Sequence, residues 1–207
     1  EPGPGGLAVL TSVFGNKDVN SEELFSMEFG YRVKPSDRLY FDISAFYNLY
    51  ENQNSFSRGA TAMEAVPAPA HLLIPFNTGS QISGDTYGVE VAAKWNVLDC
   101  WKLEGGFNWL EMNINRQPGA IDLTSGTSPQ FQWKLRSLVD LPHNLEWDTS
   151  IYYVDRLSRL RTPQYTRMDM RLGWRPTSSV ELSVGVLNLL DGEHYEFGPV
   201  TELNRGS

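Results

Sequence analysis

Along most of the chain apolar and polar residues alternate with a period of two, the pattern of a strand that shows one face to an apolar medium and the other to water. Eight segments carry it: 24–33, 39–49, 87–95, 101–109, 131–139, 145–153, 168–174 and 180–186. In the first, Phe25, Met27, Phe29, Tyr31 and Val33 share a face, with Ser26, Glu28, Gly30 and Arg32 opposite. Across all eight, the apolar faces comprise 39 positions without one Asp, Glu, Lys or Arg, while 14 of the 32 intervening positions are charged. A face so free of charge meets either a protein core or lipid.

The connections decide between the two. Successive segments are separated by 5, 37, 5, 21, 5, 14 and 5 residues, so every second connection is tight. The tight ones hold turn formers: Pro35, Ser36 and Asp37; Asn96 and Asp99; Pro142 and Asn144; Pro176, Ser178 and Ser179. An up-and-down meander collects all tight turns at one end and all long loops at the other, the asymmetry of an outer-membrane barrel. The aromatic residues agree. All six Trp fall on the apolar face, with Trp95, Trp101, Trp147 and Trp174 near the tight turns and Trp109, Trp133, Tyr47, Tyr87 and Tyr153 toward the long loops. Two belts of this kind mark the two membrane interfaces. A nine-residue segment tilted by about 40° rises roughly 20 Å, close to the apolar band of such barrels. The fold class read from the pattern is all-β, an antiparallel up-and-down transmembrane β-barrel.

Composition adds exclusions. The 207 residues include 10 Phe, 9 Tyr and 6 Trp, too much apolar surface for a disordered chain. No apolar run approaches the roughly 18 residues of a spanning helix, the longest candidates being LAVL at 7–10 and HLLIPF at 71–76. A net charge of -8 lacks the basic footprint of a nucleic-acid binder. The single cysteine, Cys100, can form no internal disulfide, and no His, Cys or carboxylate cluster has zinc spacing, so neither a metal nor another cofactor is expected. His71, His143 and His194 lie on three different connections. The lumen-facing charges, among them Glu90, Lys134, Arg136 and Asp148, mix both signs and single out no carboxylate pair for glycoside hydrolysis; no catalytic residue is expected.

Three stretches carry a family resemblance. GYRVKPSDRLYFDISAFYNLYEN (30–52), with Glu28, Gly30 and Arg32 leading in, is similar to late barrel strands of TonB-dependent outer-membrane receptors. GDTYGVEVAAKWNVLDCWKLEGGFNWL (84–110) resembles that family's Tyr-Gly-x-Glu strand with its turn and return strand, and VGVLNLLDGEHYEFGP (184–199) its near-terminal Asn-Leu-x-Asp-x-x-Tyr element. The resemblance implies a 22-stranded barrel around an N-terminal plug. Residues 1–207 would then be a C-terminal barrel portion holding strands 14 to 21, with the plug, the early strands, the final strand and the segment that engages TonB outside it. It also implies no enzyme. The function expected is uptake of a scarce nutrient, a ferric siderophore or cobalamin, across the outer membrane of a Gram-negative bacterium, with TonB, outer-membrane lipid and lipopolysaccharide as partners. Two alternatives are an autonomous small outer-membrane barrel serving as adhesin or enzyme, and a soluble carbohydrate-binding β-sandwich.

Ligand contacts are expected on the long loops, since loops on a rigid scaffold carry specificity. DRLSRLRTPQY (155–165) places Arg156, Arg159 and Arg161 where they meet lipopolysaccharide phosphates, solvent or an anionic iron chelate, the first two favoured over the chelate. The 50–86 connection offers His71 and Phe76 beside other apolar residues, which pack on neighbouring loops or fold over a ligand.

Overall fold

A computed structural model describes residues 7–190. Among the described residues there are eleven strands: β1 (Ala8–Phe14), β2 (Glu23–Ser36), β3 (Leu39–Arg58), β4 (Ala62–Glu64), β5 (His71–Leu98), β6 (Trp101–Arg116), β7 (Ala120–Ile121), β8 (Phe131–Leu141), β9 (Leu145–Val154), β10 (Tyr165–Thr177) and β11 (Val180–Val186). The chain divides into two units. The smaller comprises the described residues up to Ser26, Asn48–Asp85 and Met112–Ser125; the larger comprises Met27–Tyr47, Thr86–Glu111 and the described residues from Gly126 onward.

In the larger unit each strand pairs with the next of the meander, in the order β2-β3-β5-β6-β8-β9-β10-β11. The tight connections are shorter than their five-residue gaps in pattern, because the strands run on past the alternating segments. They shrink to residues 37–38, 99–100 and 178–179, and to the 3₁₀ turn Pro142–Asn144, where His143 takes a left-handed φ of 67°. Lys34 Nζ donates to Asp37 Oδ1 at 2.8 Å across the first turn, and that hydrogen bond and charge hold the Asp37 carboxyl below the usual carboxylate range. Arg38 reaches the next turn, 2.6 Å from Asp99 Oδ1.

Register explains how the apolar positions form one surface. Trp101 faces Val139, Val139 faces Trp147, Trp147 faces Leu172 and Leu172 faces Val184, a single row across five strands. The next rows are Leu103, Ser137, Thr149, Met170 and Val186, then Gly105, Leu135, Ile151 and Met168. A one-residue slip in any ladder would move a charged position into this surface, so register is strongly specified. Nothing among the described residues covers it: none of the 39 uncharged positions is buried. Leu135 is 43% exposed and Val184 64%. A soluble monomer rarely leaves so large a contiguous apolar surface open, whereas a lipid-facing barrel wall requires it. At the ends away from the tight turns, ring contacts link the strands: Tyr87 meets Trp109 edge-on at 5.6 Å, Tyr47 stacks on Tyr87 at 6.4 Å, and Trp133 stacks on Tyr153 at 6.0 Å.

The smaller unit differs from the sequence reading. The connection expected over 50–86 is mostly strand: β3 continues to Arg58, β4 follows, and β5 begins at His71. These stretches do not alternate as the parts of β3 and β5 in the larger unit do, so their strand character was hidden. Three further strands, β1, β4 and β7, have no alternating signature. The β3–β5 hairpin is flanked on both sides. β1 pairs in parallel with β5, from Ala8 opposite His71 to Phe14 opposite Asn77, and β7 pairs with β3 through Phe56 opposite Ile121 and Ser57 opposite Ala120. β4 folds onto β5 with Met63 opposite Leu72. The core here is small, with Leu73, Ile82, Ala120 and Ser55 buried.

Candidate functional site: the charged wall and the outer turns

The face opposite the apolar surface is built of cross-strand ion pairs. Arg171, on β10, sits among three carboxylates: Glu146 Oε2 at 3.1 Å, Asp148 Oδ2 at 3.3 Å and Glu181 Oε1 at 2.6 Å. Arg175 joins the same group, 2.9 Å from Glu146 and 3.2 Å from Glu181. Register puts Asp148 directly opposite Arg171. Further along, Arg32 pairs with Asp42 at 2.9 Å, the Tyr40 hydroxyl donates to the same carboxylate at 3.3 Å, and Lys94 lies 3.9 Å from Glu104. Arg171 retains about one third of its side-chain exposure, so water screens the cluster and each pair contributes little by itself. Its value is a hydrated wall that stays ordered.

A groove on this wall is lined by Arg32, Asp42, Glu90, Asn108, Lys134 and Tyr152. Gly106 shapes it. Lys134 stands opposite Gly106 in the β6–β8 ladder, and a Cβ there would lie 2.9 Å from the Lys134 stem, so the missing side chain lets that stem lie across β6. Mixed charge, hydroxyl and amide groups suit a polar occupant, and they single out no reacting atom.

β10 also anchors the residues that follow β11. Arg167 grips Asp169 at 2.8 Å and lies 5.9 Å over the Tyr152 ring, while Asp169 Oδ1 accepts the Asn188 backbone N–H at 2.9 Å and the Met168 carbonyl accepts the Leu189 N–H at 2.8 Å. The start of the Asn-Leu-x-Asp element is thus tied to β10; its continuation over 191–199, with His194, lies outside the described residues. Pattern alone, which puts Asp169 opposite the apolar face, does not signal this second role.

The arginines expected to contact ligand share one turn of the larger unit. Leu157 and Thr162 bridge through reciprocal backbone bonds of 2.9 and 3.1 Å, and Leu157 and Leu160 are buried beneath. Arg156, Arg159 and Arg161 are all exposed, Arg161 with a left-handed φ of 53°. The Arg159 N–H donates to the Gly126 carbonyl at 3.1 Å, and Gly126, at φ 71°, leaves no room for a side chain against Ser158. Two buried leucines therefore anchor a turn on which all three arginines are exposed.

His71 and Phe76 belong to the smaller unit, on β5 rather than in a loop. His71 is 5% exposed; its Nδ1–H donates to the Pro69 carbonyl at 3.0 Å, and Nε2 faces Glu64 Oε2 at 3.7 Å. Phe76 stands opposite Val13 of β1. Both residues therefore help hold the β4–β5–β1 sheet together. Among the described residues no group of three or more His, Cys, Asp and Glu could hold a metal ion. Cys100 is exposed in the turn after β5.

Comparison with known proteins matches residues 2–189 to the family model described as TonB dependent receptor-like, beta-barrel. The pesticin receptor of Yersinia enterocolitica is 24% identical over 205 residues, covering 94% of this chain and 28% of the relative. Among solved structures, the ferric-catecholate import receptor Fiu of E. coli superposes with a TM-score of 0.61 at 17% identity, over 86% of this chain and 25% of that one. The ferric yersiniabactin uptake receptor FyuA of Yersinia pestis gives 0.58 at 18% identity, over 82% and 25%. This chain spans about 28% of the length of the curated relatives it matches.

Proposed function

Because the chain belongs to the TonB-dependent receptor β-barrel family, we propose that it forms part of the wall and outer connections of a receptor in the outer membrane of a Gram-negative bacterium. The receptor takes up a scarce nutrient, with a ferric siderophore as first choice and cobalamin as second; coupling to TonB and the plug that fills the barrel come from the rest of the protein. This chain supplies no catalytic step.

The observation that carries the reading is the pairing of two opposite faces in one register. One is free of charge and uncovered across every ladder from β6 to β11; the other is charged and ion-paired around Arg171. Iron chelates rank first because the names of the structural neighbours refer to import of ferric catecholate and ferric yersiniabactin. The arginines at 156, 159 and 161 take anionic groups, lipopolysaccharide phosphates ahead of an iron chelate, since all three stand exposed on one surface turn. His71 and Phe76 contribute to ligand contact by holding the sheet on which β5 rises.

The test is growth of a strain deleted for the intact gene on single iron sources. Loss of growth on one ferric siderophore, restored by the gene, supports the assignment; unchanged growth on every ferric siderophore and on cobalamin-dependent medium removes it.

A further inference from the structure

In β1, composition and setting disagree. Ala8–Phe14 reads AVLTSVF, with no charge, proline or glycine. It pairs in parallel, and parallel strands read as continuous apolar runs because they are covered on both faces. β1 has that composition without the cover: Leu10 is 42% exposed, Phe14 45% and Val13 62%. On one face Val9 and Val13 lie in register with Leu72 and Phe76, and Met63 extends the row, itself 59% exposed.

The edge is open as well. Among the described residues β1 pairs only with β5, so every second residue directs its N–H and C=O away from the sheet. Edge strands are ordinarily protected by charge, proline, a bulge or short length, and β1 has no charge or proline. It is also firmly held. Beyond the ladder, the Asn16 N–H donates to Thr78 Oγ1 at 3.0 Å and the Asn20 N–H to Ser80 Oγ at 2.8 Å, each hydroxyl standing near a carbonyl of the same segment, Phe14 and Asn20, at 3.3 Å.

We propose that a further strand of the same protein, contributed from outside these 207 residues, adds to the free edge of β1 and makes it an interior strand. A row of backbone donors and acceptors at strand spacing is matched only by another extended polypeptide, and an uncharged edge selects one with apolar residues on alternate positions. The length of chain available supports the source, because this chain spans only 28% of its curated relatives. The inference rests on the reading of the chain as part of a larger receptor.

Hydrogen exchange by mass spectrometry on the intact, purified receptor tests it, through peptides covering residues 8–14. A strand with one ladder protects about half of its amides, and one with two ladders protects nearly all. The expected result is that all seven amides of β1 exchange at least on the order of 100-fold more slowly than free peptide. Rapid exchange of about half of them overturns the inference, and so does protection that arises only when a foreign protein is added. Heat-modifiable migration of the same sample reports separately on the receptor reading, so fast exchange in a sample that shows it counts against the added strand alone.

Discussion

The indole Nε1–H of Trp101 donates to Ser137 Oγ at 3.0 Å, diagonally across the β6–β8 ladder. Ser137 is one of few hydroxyls on the uncharged face, and Thr149 serves Trp147 in the same way at 2.9 Å. An indole N–H at the edge of a hydrocarbon layer cannot rely on water, so a neighbouring hydroxyl takes that place. Replacing Ser137 with Ala should destabilise the folded barrel by about 1 kcal/mol and Ser137→Thr should restore most of it, measured by urea unfolding in lipid vesicles.

The apolar surface should reject charge wherever it faces lipid. Leu135→Arg, in the middle of β8, should lose about 2–4 kcal/mol and lower the heat-modifiable fraction, while Lys134→Arg, one residue away on the charged wall, should change neither.

Two glycines should respond in opposite ways. A Cβ at Gly88 would collide with the Trp109 carbonyl and the Phe46 ring, whereas one at Gly105 meets nothing within 4 Å. Gly88→Ala should destabilise by about 1–3 kcal/mol, and Gly105→Ala should be neutral or slightly stabilising in the same unfolding assay.

Arg171 is the hub of the charged wall, so Arg171→Ala leaves Glu146 and Glu181 with Arg175 alone and takes from Asp148 its Arg171 contact. The expected loss is small at low salt and smaller still in 1 M salt, with no defect in membrane insertion. Arg171→Lys should recover only part of it, because an ammonium cannot bridge three carboxylates as a guanidinium does.

Replacing Arg156, Arg159 and Arg161 together with Ala leaves the buried Leu157 and Leu160 in place and should preserve the turn. Co-purifying lipopolysaccharide should fall several-fold while uptake of the ferric siderophore proposed as cargo is unchanged. The reverse outcome would assign the arginines to the transported ligand.

These residues also show where the sequence was readable. Met168, Met170, Leu172 and Trp174 declared their strand because lipid on one side and water on the other enforce period two at every position. His71–Gly84, the first half of β5, carried no such signal: in the smaller unit no single medium holds either face to period two, and HLLIPFNTGSQISG has no alternation. LAVL at 7–10 stood out only as a short apolar run, because its partner lies more than sixty residues away in parallel register, and nothing local encodes such a pairing. The arginine turn was legible as charge but not as architecture. The exposed turn depends on two leucines and on Gly126 in a different connection.

The central claim is that the uncharged face meets lipid and the charged face meets water. Spin labels at Leu135→Cys and Lys134→Cys of the intact receptor in outer-membrane vesicles test it most directly, by collision with oxygen and with a water-soluble nickel chelate. The account predicts that the label at 135 meets oxygen and is shielded from nickel, with the opposite at 134. Equal access of both labels to nickel, or shielding of the 135 label from both reagents as in a protein core, would contradict it.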